Sequence, residues 1–129
     1  MSFDWGLYIQ LADELINQQR TQTLQEAYLR SSISRSYYGV FCIARNFISK
    51  RVGIQRFDTH KFVREQYRNS QDKTEKKIGK DLQSLWHEMK VADYENSATI
   101  NINRARTAYQ LSIQILNRLR GIGAIYTLN

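Results

Sequence analysis

No proline interrupts this chain of 129 residues, and only six glycines punctuate it. That scarcity constrains the fold more than any other feature. A β-sandwich or barrel of this size reverses direction many times, and its turns are built largely from Gly, Pro, Asn and Asp. Helices need far fewer such stops. The length is one domain's worth, enough to bury a core without metals or disulfides.

Apolar periodicity divides the chain into five helical segments. Tyr8, Leu11, Ala12, Leu15 and Ile16 recur at i, i+3/i+4 and predict a first helix from about Phe3 to Arg20. Thr23 and Glu26 have the spacing of a capping box, in which hydroxyl and carboxylate satisfy free N–H groups at a helix start. They would open a long second helix, about Leu24 to Val52, with Ile33, Tyr37, Val40, Phe41, Ala44, Phe47 and Ile48 on its apolar face. Gly53 is its expected stop.

A short third helix follows from about Thr59 to Asn69, with Phe62, Val63 and Tyr67 inward. Asp72 and Glu75 form a second capping-box pattern before a helix whose inner face is Ile78, Leu82, Leu85, Trp86 and Met89. The last helix, about Asn101 to Arg120, buries Ala105, Ala108, Tyr109, Ser112, Ile115, Leu116 and Leu119. Gly121 and Gly123 end it, leaving residues 121–129 as a short apolar tail. Short connections make neighbours antiparallel, so the expectation is an all-α, up-and-down bundle forming one domain over residues 1–129.

Charge is distributed unevenly. The formal net charge is +7, and residues 30–68 alone carry nine basic side chains against Asp58 and Glu65. Such asymmetry favours an anionic partner, either nucleic acid or an acidic protein surface, over a neutral one. Cys42 is the only cysteine, so no internal disulfide can form. The opening residues lack the basic and apolar parts of a secretory signal, and no apolar run approaches the ~20 residues that span a bilayer. The expected setting is cytoplasmic, without membrane association. Two histidines and one cysteine at unrelated spacings give no metal-ligand pattern, and no Gly-rich phosphate loop is present, so no cofactor is expected.

The most distinctive stretch is Arg35-Ser36-Tyr37-Tyr38-Gly39-Val40-Phe41. Tyr37 and Phe41 fall on the apolar face, whereas Arg35 and Tyr38 lie towards its edge, free to line a surface groove. Gly39 costs a helix roughly 1 kcal/mol relative to Ala, which is best explained by close approach of a neighbouring helix. This stretch resembles the R-x-Y-Y-x-x-F signature of small HEPN-domain proteins, named for higher eukaryotes and prokaryotes nucleotide-binding. Three further features keep the family's order. Leu11-Ala12-Asp13-Glu14-Leu15 is similar to its opening L-A-x-x-L, Thr59-His60-Lys61 to its s/t-H-k, and Ala92-Asp93-Tyr94 to its A-D-Y.

The resemblance implies a helical bundle, commonly a homodimer. Many members are paired with a minimal nucleotidyltransferase in toxin–antitoxin-like fashion, and others bind or cleave RNA. Nuclease members use an Arg followed, after four to six residues, by a His near the final helices. The corresponding stretch here, Glu88-Met89-Lys90-Val91-Ala92-Asp93-Tyr94, has neither, and Arg56 precedes His60 by only three intervening residues.

The leading expectation is therefore a HEPN-like binding module that engages RNA or a nucleotidyltransferase partner. Its binding candidates are Arg35, Tyr38, His60, Lys61, Arg64, Asp93 and Tyr94. Asp93, an acid at a helix C-terminus, calls for a cationic partner, and Arg35 is the expected one. The alternative is a metal-independent endoribonuclease with His60 as general acid/base and Arg35 or Arg56 on the phosphate. A third reading is a structural adaptor in a protein complex. His87, beside Trp86, reads as a structural or surface residue.

Overall fold

The computed structural model describes residues 3–18, 21–53 and 59–124. They form five helices and no strand: α1 Gly6–Asn17, α2 Gln22–Val52, α3 Thr59–Arg68, α4 Lys73–Tyr94 and α5 Ile102–Gly121. The protein is an all-α helical bundle.

Cross-helix pairs fix the directions. Ser32 Oγ donates to the Ala12 carbonyl at 2.7 Å, and further along α2 Arg45 sits over Trp5, so α1 and α2 are antiparallel. Ser34 meets Asp93 while Arg51 meets Glu75, which makes α4 antiparallel to α2. Arg104 with Glu88 and Arg118 with Asp81 do the same for α4 and α5. The short α3 runs antiparallel to α4, pairing Arg64 with Gln83. It therefore follows the same sense as α2, with His60 beside Tyr37 and Tyr67 Oη donating to the Ala44 carbonyl.

α2 is the central element, packed against each of the other four helices. Every residue from Gly39 to Ala44 is buried, so the helix is enclosed on all sides in its middle rather than on one face. That corrects the single apolar stripe expected from periodicity. Small side chains make the enclosure feasible: Ser32, Ser34, Ser36, Gly39, Cys42 and Ala44 all sit at buried positions. A Cβ on Gly39 would stand 2.7 Å from Ile9 Cγ1 and 3.2 Å from the Trp5 carbonyl oxygen, so α1 crosses directly over it.

Other boundaries differ from expectation for local reasons. α1 begins at Gly6 because the Asp4 carboxylate accepts from the Gly6 N–H, turning the chain just before the helix. It ends at Asn17, and Arg20 lies outside the described residues. Its inner face is Ile9, Ala12 and Ile16, with Leu11 exposed. The Thr23–Glu26 capping box does not form, since α2 is already helical at Gln22. Glu26 instead pairs with Arg30 and accepts from the Ile100 N–H.

The Asp72 cap does form, its carboxylate accepting from the Glu75 N–H at 2.9 Å. α5 ends in a Schellman arrangement, with Gly123 at φ 100° and N–H bonds from Gly123 to Arg120 and from Ala124 to Leu119. Ala124 is buried, and residues 125–129 of the expected tail lie outside the described residues. Among the described residues no helix is long and apolar enough to cross a membrane.

Gly79 supplies the tightest contact, one that periodicity does not reveal. A Cβ there would lie 2.5 Å from the Arg68 backbone nitrogen and 2.9 Å from its Cα, where α3 closes on α4. Gly79→Ala should therefore lose up to about 2 kcal/mol net, because an overpacking cost towards the upper end of about 1–3 kcal/mol, against backbone, outweighs the ~1 kcal/mol gained from helix propensity. Gly121→Ala meets nothing within 4 Å and should gain up to ~1 kcal/mol. Urea unfolding of both variants reads the opposite signs, and equal stabilisation would contradict the close approach.

Candidate functional site

One turn of α2 sorts its aromatic and basic side chains onto two levels. Tyr37 and Phe41, four residues apart, point inward and stack with ring centroids 5.6 Å apart. Arg35 and Tyr38, three apart, sit half-buried above them. The first turn of α3 lays the His60 ring on Phe41, 4.0 Å between centroids and 10° from parallel. His60 Nδ1 lies 2.7 Å from Tyr37 Oη, a hydrogen bond that fixes the ring's orientation. Tyr38 meets the same imidazole edge-on at 5.8 Å.

The Arg35 guanidinium lies 4.7 Å from the Tyr8 ring centre and 5.9 Å from that of Tyr38. One turn beyond His60, Arg64 places its guanidinium 4.2 Å over Trp86 and donates from Nε to Gln83 Oε1 at 2.7 Å. Lys90 Nζ is 4.6 Å from the Trp86 ring centre. The result is a ribbon of alternating cations and rings running from α1 across α2 and α3 to α4. Beside it, a groove of about 490 Å³ is lined by Trp86, His87, Lys90, Val91, Tyr94, Glu95, Ala98 and Arg104.

A further cation builds the frame for this ribbon. Arg30 Nη1 donates to the carbonyls of Val91, Ala92 and Glu95, and Nη2 to that of Ala98 at 2.6 Å. These include C-terminal carbonyls of α4, which a helix cannot satisfy internally. Arg30 thereby holds the Ala92-Asp93-Tyr94 end of α4 against α2. The sequence showed Arg30 only as one charge among many. Its signal would have been its place one turn before Ser34, opposite a helix end with no basic residue of its own.

The predicted site residues gather in part. Arg35, Tyr38, His60, Asp93 and Tyr94 come together on one side of α2, with Arg64 adjoining through Tyr37 and Trp86. Lys61 is exposed on α3, and Arg56 lies outside the described residues. Tyr8, Trp86 and Lys90 join the ribbon without having been expected there. His87 is exposed and meets Gln83 at 3.0 Å, in keeping with a surface role.

The expected Arg35–Asp93 pair is corrected. Asp93 accepts from Ser34 Oγ at 3.3 Å, and Arg35 commits its guanidinium to the tyrosine rings instead. Partial burial raises the Asp93 carboxyl above its usual range, with the Ser34 bond and the Arg35 charge only partly opposing it. Tyr38 is likewise raised, first by desolvation and then by Asp93 and Tyr94, against Arg35. Burial pushes Tyr37 far upward despite the nearby Arg64 charge, so its phenol stays protonated and can donate to His60. Cys42 is buried and its thiol is raised, which removes it as a nucleophile. Among the described residues no three His, Cys, Asp or Glu side chains converge as metal ligands.

In comparisons with protein-family models, curated proteins and solved structures, nothing matches this chain.

Because the folded Asp93 carboxyl titrates above the unfolded value of about 3.9, its stabilising contribution is complete below that value and is lost as pH rises through the folded one. Asp93→Asn should therefore leave stability at pH 7 unchanged or raised, with the difference from the parent closing as pH falls below about 4. Thermal melts at the two pH values check this. A clear loss at pH 7 would restore the ionic clamp.

Proposed function

We propose that this protein is a HEPN-like binding module that takes single-stranded RNA along the cation–ring ribbon of α1, α2, α3 and α4. The observation that carries this reading is the interleaving itself. Arg35 lies between Tyr8 and Tyr38, and the exposed Lys90 meets Trp86, whose ring is braced by the buried Arg64. Single-strand binders combine ring faces for bases with cations for the backbone, and the stacking tolerates any base. The half-buried Tyr38 and the 70 % exposed Tyr94 offer ring surface beside the groove. The basic balance of residues 30–68 supplies long-range attraction.

The same face would also suit an acidic minimal nucleotidyltransferase, as the family resemblance implies, and a homodimer would double the ribbon. A cytoplasmic setting fits the free Cys42.

Fluorescence anisotropy with a labelled single-stranded RNA tests the reading. Affinity should fall linearly in log–log with salt, with a slope of about −0.7 per phosphate contacted. Tyr38→Ala and Tyr94→Ala should each weaken binding by about 5- to 150-fold, the equivalent of one lost base stack, while the Phe variants retain it. No RNA binding, together with a tight complex with a nucleotidyltransferase, would move the face to a protein partner.

One observation favours a second reading, cleavage. The Tyr37 hydrogen bond holds the His60 imidazole in a fixed orientation, the arrangement a proton-transferring histidine uses. RNA incubated with the protein in EDTA would be cut by the parent and spared by His60→Ala under that reading. Intact RNA in both leaves a binding module.

A further inference from the structure

Arg64 is 6 % exposed, yet no carboxylate stands within ion-pair distance of it among the described residues. Its Nε is used by Gln83 and its face by Trp86, but Nη1 is buried and has no hydrogen-bond partner. The neighbouring phenol of Tyr37 interacts with the guanidinium through its charge and a side-chain hydrogen bond, but, being held protonated by burial, it does not neutralise it. A buried cation without a counter-ion, with one N–H unpaired, is costly twice over. Surface arginines are normally spared both penalties. Here the fold keeps Arg64 preorganised by stacking on Trp86 and by hydrogen bonding to Gln83 and Tyr37, which is how a guanidinium is set to receive an oxyanion.

We propose that Arg64 is the floor of a subsite for a terminal phosphate group. The shielding of Nη1 decides which phosphate. An internal phosphodiester is carried on a continuous strand that cannot enter a site this closed, whereas a free phosphate or a phosphate monoester at a chain end presents a small, doubly charged head. Entry requires a modest displacement of the half-buried Trp86 ring that lies against the guanidinium. The proposal depends on the RNA reading only for the source of the phosphate, an RNA 5′ end rather than a free anion.

Thermal melts in inorganic phosphate against chloride at matched ionic strength test the subsite directly. The parent's midpoint should rise by about 3–5 °C at tenfold excess over the dissociation constant. Arg64→Met keeps the stem on Trp86 and removes the charge. It should melt no lower than the parent in chloride and should not respond to phosphate. Arg64→Lys, which retains charge but loses the planar fork, should respond more weakly than the parent.

A second arm compares RNA bearing a 5′-phosphate with the same RNA bearing a 5′-hydroxyl. A preference for the phosphorylated end in the parent that vanishes in Arg64→Met supports the subsite with RNA as its source. A phosphate response lost in Arg64→Met, with no RNA bound by the parent, supports the subsite while ending the RNA reading. An equal phosphate response in parent and Arg64→Met, or none in the parent, overturns the subsite whatever RNA does. So does a collapse of Arg64→Met in chloride, which would show that the fold already compensates the charge.

Discussion

Everything else in this bundle depends on the enclosure of α2. A helix whose middle is buried around its whole circumference needs neighbours on every side, and α1, α3, α4 and α5 each supply one. Backbones can come this close only where side chains are small, hence Gly39 under α1 and the serines and Cys42 between the larger residues. Burying serines is tolerable when their hydroxyls find acceptors, as Ser32 does on the Ala12 carbonyl. Ser36 Oγ, buried without a partner, is a departure for which we have no physical account.

The candidate site follows from the same constraint. Because α3 and the end of α4 both close on α2, side chains far apart in sequence meet above Tyr37 and Phe41. Their packing needs polar anchors at the edges. Tyr67 reaches the Ala44 carbonyl, Asp81 joins Lys77 and Arg118, and Arg30 gathers four carbonyls at the turn after α4. Arg30 matters most for function, since it sets where Asp93 and Tyr94 stand relative to Tyr38. The face is thus a by-product of burying the middle of one helix on all sides, with its rings supplied from the rim of the core.

Much of this was legible in the residues. The scarcity of turn formers announced an all-α chain, and the spacing in α4 and α5 named their buried faces almost residue by residue. The Asp72 cap and the Gly53 stop, at φ 73°, formed as local chemistry required. Arg35, Tyr38, His60, Asp93 and Tyr94 did converge. The single apolar stripe failed because periodicity measures one face, and the middle of α2 is buried on all of them. An acid at a helix C-terminus calls for a cation, which pointed to Arg35 for Asp93, but the guanidinium lies against the rings of Tyr8 and Tyr38 and Asp93 takes Ser34 instead. Trp86, Lys90 and Arg30 could not be placed before the direction of α3 and the turn after α4 were known.

The central claim is that the ribbon across α2, α3 and the end of α4 is the binding face. Amide NMR spectra of the labelled protein, titrated with a short single-stranded RNA, test it most directly. The account predicts shifts concentrated around Arg35–Tyr38, Thr59–Arg64 and Lys90–Tyr94, with little change along the outer face of α5. Shifts centred on the basic residues Arg104 to Arg120 instead would contradict it.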